Sequence, residues 1–574
     1  MIAAHADNRK AASYLYPALI LLIGCALIVR CRYGFDWSDE AYYSALAYRL
    51  ALGDSLFSEM WEMHQLSVIP LLPLVKGYLW LNGSSEGLIL FLRTSFCIFE
   101  TLAALGSYFL LKKRVSPLAA FLAAAILQSF THFALPNFSY DSATPLLLFL
   151  SVLLIPADGT DKKSFLSALL SGALYALAVQ CYPQLVISLP AYAVYWICRV
   201  RHAKKSGLAD RSAAAFLLGV LLLIAAFAVF LTMNSSFAAM LKNIPHLLDD
   251  PSHLGPDYGK RFLNYFHTLI VIFGPVFYVA LLLTAETAFV SFSNKRAVKK
   301  IVPTLWIAVF ALGLLSILRI LSYDVDAVSK NNFLATSLLL VAPALYFLDG
   351  RRKSPFILLY ALGFFFSLSA QLFSNMGIYA ASFPLILCSL AALCYAAESA
   401  YLASPSCKKA VRVLYTVMGI GLLAAVLAFR IVSMHRESSL FSLDTALSGG
   451  PADGVITTAE SAREYAAIIS AIETAAPESG NILVTSMLPF GYACTELLPA
   501  AQSVWFSPYN ERLALYYSLH PDRIPDLIVA VPEGVGYSYG DGDAGALLDY
   551  LKTAYQRTYT AVVDNEYCTV YRLD

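Results

Sequence analysis

The chain of 574 residues carries 40 Lys and Arg against 39 Asp and Glu, so its formal net charge is only +1. Hydrophobic residues make up 59% of it, charged residues 14%, and the mean hydropathy is +0.64. Because a soluble chain this apolar cannot cover its surface with polar groups, the composition excludes an ordinary soluble enzyme and a disordered chain. A nucleic-acid-binding protein would also show a basic stripe. A polytopic α-helical membrane protein remains.

Runs of mostly apolar residues, about 20 long as a membrane-spanning helix requires, recur from the N-terminus to residue 434. The first run follows Arg9 and Lys10 but lacks a small-residue cleavage site, which predicts an uncleaved anchor. About thirteen spans are predicted. They are 14–32, 87–111, 115–134, 143–157, 164–181, 183–200, 212–233, 266–290, 301–321, 333–348, 354–373, 378–401 and 411–434.

The distribution of positive charge predicts the orientation of these spans. With the N-terminus inside, the inner segments hold 22 Lys and Arg, and the outer loops between spans hold 7. Because positively charged loops stay on the cytoplasmic side, this bias predicts a multi-pass protein of the cell membrane with a cytoplasmic N-terminus. Thirteen spans then put the C-terminal residues outside the cytoplasm.

Residues 437–574 are polar and rich in turn residues, which predicts a soluble extracytoplasmic domain after a transmembrane domain of residues 1–436. Hydrophobic patterns predict helices at 460–475 and 547–555, buried strands at 481–487 and 527–531, and a hairpin over 558–573. Alternating strands and helices favour a small α/β domain. Cys494 and Cys568 either pair there or, as the sequence favours, stay free thiols.

The first outer loop, residues 33–86, is too acidic for a plain linker. Asp36, Asp39 and Glu40 come directly before an apolar stretch at 41–52 that is predicted as a helix lying in the outer membrane interface. A second interfacial helix is predicted further along the same loop. Acids at a helix start can simply favour its positive end. Here, however, they also lie where the first span meets the outer surface.

A second acid, Asp141, is expected at the same depth, between the third and fourth spans. Acids from two outer loops can meet in one cavity, where they would deprotonate an acceptor hydroxyl or hold a metal ion. Arg93 and Arg319 lie within spans near their outer ends, and Lys330 follows Arg319 closely. An intramembrane Arg either reaches out to the headgroups or marks a functional site, and cations at this depth suit a lipid phosphate.

The segment from Asp39 to Asp54, which begins Asp-Glu-Ala-Tyr-Tyr and ends Leu-Gly-Asp, resembles the first outer loop of GT-C class glycosyltransferases. It is most similar to bacterial relatives of protein O-mannosyltransferases and to the lipid A aminoarabinose transferase. The likeness continues through His64 and Gln65, and the Asp141 loop resembles the second acidic motif of the class. Gln65 departs from the pattern, since many relatives carry a Lys there.

This resemblance implies transfer of a sugar from a polyprenyl-phosphate donor in the membrane to an extracytoplasmic lipid, glycan or protein. It implies that Asp39 is the general base and that Glu40 and Asp141 orient the acceptor or the base. No His or Cys ligand spacing appears, so no metal is assigned, and a divalent cation stays open because the class includes both kinds. The residues assigned to substrate binding are Asp36, Tyr42, His64, Gln65, Arg93, Arg319 and Lys330.

Two other functions remain open. A transporter would show internal repeats and ionisable residues near the membrane midplane. No repeat is evident, and only Glu100 and Glu286 lie within spans away from the outer rim. A non-catalytic envelope-assembly protein could keep the same scaffold, although the Asp39-Glu40 pair argues against it.

Overall fold

The computed structural model describes most of the chain as a helical bundle followed by a small α/β domain. The described residues are 2–156, 161–205, 210–248, 257–293, 300–349, 354–374, 377–399, 406–535 and 544–574.

The bundle consists of helices joined by short connections, some of them 3₁₀ helices. In chain order its α-helices are α1 (Ile2–Arg30), α2 (Asp39–Leu52), α3 (Leu72–Asn82), α4 (Leu88–Leu111), α5 (Pro117–Ser129), α6 (Tyr140–Leu153), α7 (Lys162–Cys181), α8 (Leu189–Lys205), α9 (Ser212–Asn234), α10 (Phe237–Leu248), α11 (Tyr258–Phe273), α12 (Pro275–Phe292), α13 (Val302–Leu321), α14 (Ala327–Leu334), α15 (Val341–Asp349), α16 (Pro355–Phe373), α17 (Ile378–Ala381), α18 (Ile386–Ser399) and α19 (Lys408–Val432).

Eight helical segments of the described residues are long and apolar enough to cross a membrane. They are α4, α7, α9, α12, α13, α16, the segment Ile378–Ser399 that comprises α17 and α18, and α19. Three shorter apolar helices, Tyr14–Arg30, α5 and α6, accompany them. The predicted polytopic helical fold is therefore confirmed, whereas the count of about thirteen spans stays a prediction.

Two predicted spans are divided in the structure. The segment 183–200 begins as a 3₁₀ helix, Pro183–Ser188, and continues as α8, since Pro183 has no N–H with which to extend α7. The segment 333–348 divides between α14 and α15. Between them, the Thr336 hydroxyl donates to the Phe333 carbonyl at 2.8 Å, a local bond that competes with regular helix.

The C-terminal domain contains the predicted α/β elements. Its helices are α20 (Ala459–Ala475), α21 (Glu511–Leu519) and α22 (Gly545–Tyr555), and its strands are β1 (Thr445–Ala446), β2 (Ile456–Thr457), β3 (Asn481–Val484), β4 (Leu498–Pro499), β5 (Leu527–Ala530), β6 (Tyr559–Asp564) and β7 (Thr569–Leu573). A five-stranded sheet has the order β4-β3-β5-β7-β6. In it β3 is parallel to β4 and β5, and β7 is antiparallel to β5 and β6. Cys494 and Cys568 are free thiols.

The sequence analysis missed α21, which begins after Asn510. The Asn510 side chain accepts hydrogen bonds at 3.0 Å from the backbone N–H groups of Arg512 and Leu513. Asn is among the residues that cap helices best, so this was a readable start signal.

Helix α2 differs from the predicted interfacial helix. Its residues from Glu40 to Leu50 are all buried. Phe35, Trp37 and α2 belong to one hydrophobic cluster with Phe490 and other residues of the C-terminal domain, and the Trp37 and Phe490 rings lie 5.4 Å apart. The domain thus covers the face of α2 that was expected to contact lipid. Helix α3, by contrast, keeps Trp80 exposed.

Four buried charges join the first loop to the C-terminal domain. Arg49 Nε donates to Asp54 Oδ2 at 2.5 Å, and its Nη1 lies 3.7 Å from Glu62 Oε1. Arg523 Nη2 lies 2.8 Å from Asp54 Oδ1, and Glu62 also accepts a hydrogen bond from Ser503. We call Arg49, Asp54, Glu62 and Arg523 the charge clasp. Two acids of the predicted acidic loop, Asp54 and Glu62, therefore have a structural role in this clasp.

We predict that removing one member of the charge clasp lowers the stability of the protein. Arg49→Met removes the guanidinium that faces both buried carboxylates, so Asp54 keeps only Arg523 within the charge clasp and Glu62 loses its opposite charge there. Breaking a buried ion pair costs about 3–5 kcal/mol. We expect a clearly lower unfolding temperature of the purified protein in detergent and faster proteolysis of residues 437–574. Arg463→Met, at an exposed position on α20, is the control. Equal stability of the two variants would contradict a supporting role for the clasp.

Candidate functional site

The start of α2 is built around Asp36. Its Oδ1 accepts hydrogen bonds from the backbone N–H groups of Ser38 and Asp39, both at 2.8 Å, and from the Ser38 hydroxyl at 2.9 Å. This carboxylate oxygen therefore satisfies the first turn of the helix, in the manner of an N-cap. Burial and the nearby charge of Asp39 raise the pKa of Asp36 to about 6.

Asp39 is the first residue of α2, and its side chain is 27% exposed. Its Oδ2 lies 3.4 Å from His435 Nε2 and 3.3 Å from Arg436 Nη1. Burial alone would raise the pKa of Asp39, but the hydrogen bond to His435 and the charges of Arg436 and His132 outweigh it and hold the pKa below its ordinary value. Asp39 is therefore an anion at neutral pH.

The segment that follows α19 is bound closely to the start of α2. Arg436 donates to the Ser38 hydroxyl, and the Phe35 N–H donates to Glu437 Oε2 at 2.8 Å. Arg436 has φ 52°, in the left-handed region that non-glycine residues rarely adopt. Such strain persists only where surrounding contacts impose it.

Glu40 and Arg93 form a buried pair. Arg93 donates through Nε and Nη2 to the two carboxylate oxygens of Glu40, and it also donates to the carbonyls of Cys31 and Gly34 at 2.7 Å each. Both side chains are essentially inaccessible. These contacts use both side chains to join α2, α4 and the segment after α1. The predicted roles, phosphate binding for Arg93 and orientation of the acceptor or the base for Glu40, stay predictions.

Asp141 is held at both of its oxygens. Ser139 donates to Oδ1, and Oδ2 lies 2.6 Å from His132 Nδ1. His132 begins a short 3₁₀ helix, His132–Ala134, and its side chain is only 2% exposed. Its other ring nitrogen, Nε2, is buried without a hydrogen-bond partner among the residues that the structure describes.

One phenylalanine brings the two acidic loops together. The Phe133 ring is stacked on His132, with centroids 3.7 Å apart, and on His435, with centroids 4.3 Å apart. Two pairs, Asp39 with His435 and Asp141 with His132, therefore lie on either side of Phe133. We call these five residues the paired site. The arrangement brings the two loops to one phenylalanine ring, and the predicted shared cavity of Asp39 and Asp141 stays a prediction.

The backbone around Phe133 is strained and clamped. Phe133 and Ala134 have φ of 55° and 58°, both left-handed. Asn332 Oδ1 accepts from the Phe133 N–H at 2.9 Å, and Asn331 Nδ2 donates to the Thr131 carbonyl at 2.8 Å. Two adjacent side chains of α14 thus hold the strained segment in place.

Three other predicted site residues lie in the same loop as α2. Tyr42 donates to Glu62 at 3.1 Å, which ties it to the charge clasp. Gln65 is buried and bonds two backbone groups of its own loop, so it supports the loop fold. His64 is half-buried and stacked on Tyr140, the neighbour of Asp141, with centroids 3.9 Å apart. His64 thus contacts the residue that precedes Asp141 of the paired site.

The two remaining predicted cations differ in position. Arg319, in the last turn of α13, lies over the Tyr323 ring at 5.0 Å and donates to the Val271 carbonyl at 3.4 Å. Lys330 lies on α14 directly before the two asparagines that clamp Phe133. Within the described part of the chain its side chain makes no ion pair.

The sequence analysis missed His132, His435 and Arg436. One signal was present: His435 and Arg436 are polar residues at the predicted outer end of the last span, the position of the acids in the first loop. His132 lies near the end of a predicted span, where a lone His carries no distinctive pattern.

Comparison with known proteins gives one named similarity. No family model and no curated protein matches the chain. The chain is similar to the crystal structure of ArnT from Cupriavidus metallidurans bound to undecaprenyl phosphate, with 14% sequence identity, 97% coverage of each chain and a TM-score of 0.42.

Asp36, Asp39 and His435 offer three ligand atoms that lie within 4.8 Å of one another. Carboxylates and an imidazole are suitable ligands for Zn²⁺ or Mn²⁺. The Arg436 guanidinium, however, already places a positive charge 3.3 Å from Asp39 Oδ2, where it would repel a bound cation.

The pairing of Glu40 with Arg93 predicts a reciprocal effect on stability. Arg93→Met leaves the buried Glu40 carboxylate without its guanidinium partner, which lowers the free energy of unfolding by about 3–5 kcal/mol. Combining Arg93→Met with Glu40→Leu removes both charges, so the double variant should regain much of this free energy. Thermal unfolding of the single and double variants measures this difference. A stable Arg93→Met protein that binds polyprenyl phosphate weakly would instead support the phosphate role.

Proposed function

We propose that this protein is an integral membrane glycosyltransferase that moves a sugar from a polyprenyl-phosphate donor to an extracytoplasmic acceptor. The observation that carries the proposal is the paired site, which unites an ionised Asp39 and a fixed Asp141 from separate loops. The resemblance of the segment from Asp39 to Asp54 to GT-C enzymes supports it. The apolar helices on which the site stands supply access for a lipid-linked donor.

The chemistry needs few groups. An acceptor hydroxyl attacks the anomeric carbon, and the bond between that carbon and the phosphate oxygen breaks with its electron pair on the phosphate. The leaving phosphate is a stable anion and needs little acid assistance. Asp39 takes the hydroxyl proton as the bond forms, and before that its negative charge stabilises the positive charge that develops on the sugar.

The remaining residues have supporting roles in this proposal. Glu40 positions α2 through Arg93, and Lys330 binds the lipid phosphate beside the clamped Phe133 segment. Arg436 holds Asp39 in its ionised form, so the proposal includes no metal. The acceptor is a lipid, a glycan or a protein.

Glu100 was one of two intramembrane acids that could have supported a transporter. Glu100 on α4 lies 3.4 Å from Arg430 on α19, and both side chains are buried. This pair joins two helices of the bundle, which gives the intramembrane acid a structural role.

The role of Asp39 is tested by Asp39→Asn, which keeps the shape of the side chain and removes its basicity. We expect transfer to fall at least about a hundredfold, since a general base contributes 10²–10⁴-fold. Release of polyprenyl phosphate from a panel of polyprenyl-phosphate sugars, in the presence of membrane extract as acceptor source, measures it. Asp257→Asn, at the exposed cap of α11, is the matched control because Asn also caps helices well. Wild-type turnover in Asp39→Asn would end the catalytic assignment.

The role of Lys330 is tested separately by Lys330→Met. A charge-assisted hydrogen bond is worth roughly 1.5–3 kcal/mol, so we expect undecaprenyl phosphate to bind about 10- to 150-fold more weakly. Lys242→Met, at an exposed position on α10, should bind as the wild type does. Unchanged binding in Lys330→Met would remove this residue from the phosphate site.

A further inference from the structure

A cavity of about 470 Å³ lies where the bundle meets the C-terminal domain, and it shares no residue with the paired site. It is lined from α1 and the residues just after it, from α3 and the start of α4, and from the loop between β1 and β2. Its charged lining residues are Arg32, Glu86 and Asp453, and its apolar ones include Ile28, Leu90 and Phe91. Cavities of this size commonly hold a small molecule.

Backbone hydrogen bonds join the separate parts of the chain that line the cavity. The Gly87 N–H, directly before α4, donates to the Gly450 carbonyl of the C-terminal domain at 3.0 Å. The Ile456 N–H of β2 donates to the Arg32 carbonyl at 2.7 Å. The cavity is therefore a built feature of the junction between the bundle and the domain.

The three charged side chains of the cavity are not paired with one another. None of the ion pairs within the described residues includes Arg32, Glu86 or Asp453. Asp453 Oδ1 accepts from the Gly449 N–H at 3.0 Å, which leaves Oδ2 for a ligand. The cavity thus offers one guanidinium and two carboxylates to a ligand that carries charges of both signs.

The apolar part of the lining belongs to helices of the bundle. Ile28 lies in the last turns of α1, and Leu90 and Phe91 lie in the first turn of α4, which is long and apolar enough to cross a membrane. Helix α3 contributes Tyr78, whose ring is stacked on Phe91 at 4.6 Å, and keeps Trp80 83% exposed. An exposed Trp beside a spanning helix is typical of headgroup depth. The cavity therefore lies where lipid headgroups meet acyl chains.

The balance of charge favours one class of lipid headgroup. Two carboxylates against one guanidinium give the cavity a net negative charge, which disfavours a headgroup that carries only a phosphate. A headgroup with both a phosphate and an ammonium group satisfies all three side chains. Arg32 suits the phosphate, because a guanidinium can bind two phosphate oxygens at once.

We propose that this cavity binds a phospholipid with an amine-bearing headgroup, whose acyl chains lie along α1 and α4. Arg32 binds the phosphate, and Glu86 and Asp453 bind the ammonium group. A lipid held in this way joins two helices of the bundle to the C-terminal domain. Because it binds the folded protein alone, it stabilises their junction. The inference does not depend on the proposed glycosyl transfer, since no residue of the paired site takes part.

The first test compares two lipids on the purified full-length protein in detergent. Phosphatidylethanolamine carries a phosphate and an ammonium group, whereas phosphatidylglycerol carries the phosphate alone. We expect phosphatidylethanolamine to bind about tenfold more tightly, measured by native mass spectrometry, and to raise the unfolding temperature more. Equal or tighter binding of phosphatidylglycerol would overturn the inference.

Variants of the charged residues separate their two roles. Glu86→Gln combined with Asp453→Asn removes both negative charges and should abolish the preference for phosphatidylethanolamine. Arg32→Met should weaken both lipids about tenfold, because both carry the phosphate. Glu460→Gln and Arg463→Met, at exposed positions on α20, are the matched controls and should bind as the wild type does. A preserved preference in the acid double variant, or unchanged binding in Arg32→Met, would contradict the assigned contacts and overturn the proposal.

Glycerophosphoethanolamine distinguishes a lipid from a soluble phosphate ester. It has the same charges as phosphatidylethanolamine but no acyl chains, so it loses the contacts with the apolar lining. We expect it to compete only weakly with the lipid for the wild-type protein. Effective competition at equal concentration would assign the cavity to a soluble ligand and overturn the inference.

Discussion

The charge clasp is the interaction on which the arrangement of the first loop depends. Removing Arg49 and its acidic partners from water is unfavourable unless every charge finds an opposite one. Arg523 supplies one of these from the C-terminal domain, and Ser503 completes the contacts of Glu62. The loop therefore buries α2 only with the domain in place. The domain supports the paired site although it contributes none of its five residues, since His435 lies just before residue 437.

The position of α2 in turn determines which groups meet. Its first residue, Asp39, faces the junction after α19, while the His132–Ala134 segment approaches from the end of α5. Three regions distant in sequence thus supply the two carboxylates and the two imidazoles of the paired site. The strain at Phe133, Ala134 and Arg436 lies at this meeting point, where neighbouring contacts hold each residue in place.

The sequence predicted those features that depend on composition or on local pattern. The helical membrane architecture and the α/β elements after residue 437 belong to this group. The sequence did not predict which side chains pair with each other. It shows the depth of Arg93 in a span, but not that Glu40, 53 residues away, binds its guanidinium group. Likewise, an apolar face on α2 fits a lipid surface or a covering domain equally well.

The two acid–imidazole pairs differ in what surrounds them, and this difference separates their roles. Asp39 has His435 and Arg436 beside it, so one fixed positive charge favours its ionised form whatever the state of the imidazole. Asp141 has Ser139 and His132, neither of which carries a fixed charge. The first pair therefore has a fixed positive charge beside its carboxylate, whereas the second is held by side chains without one.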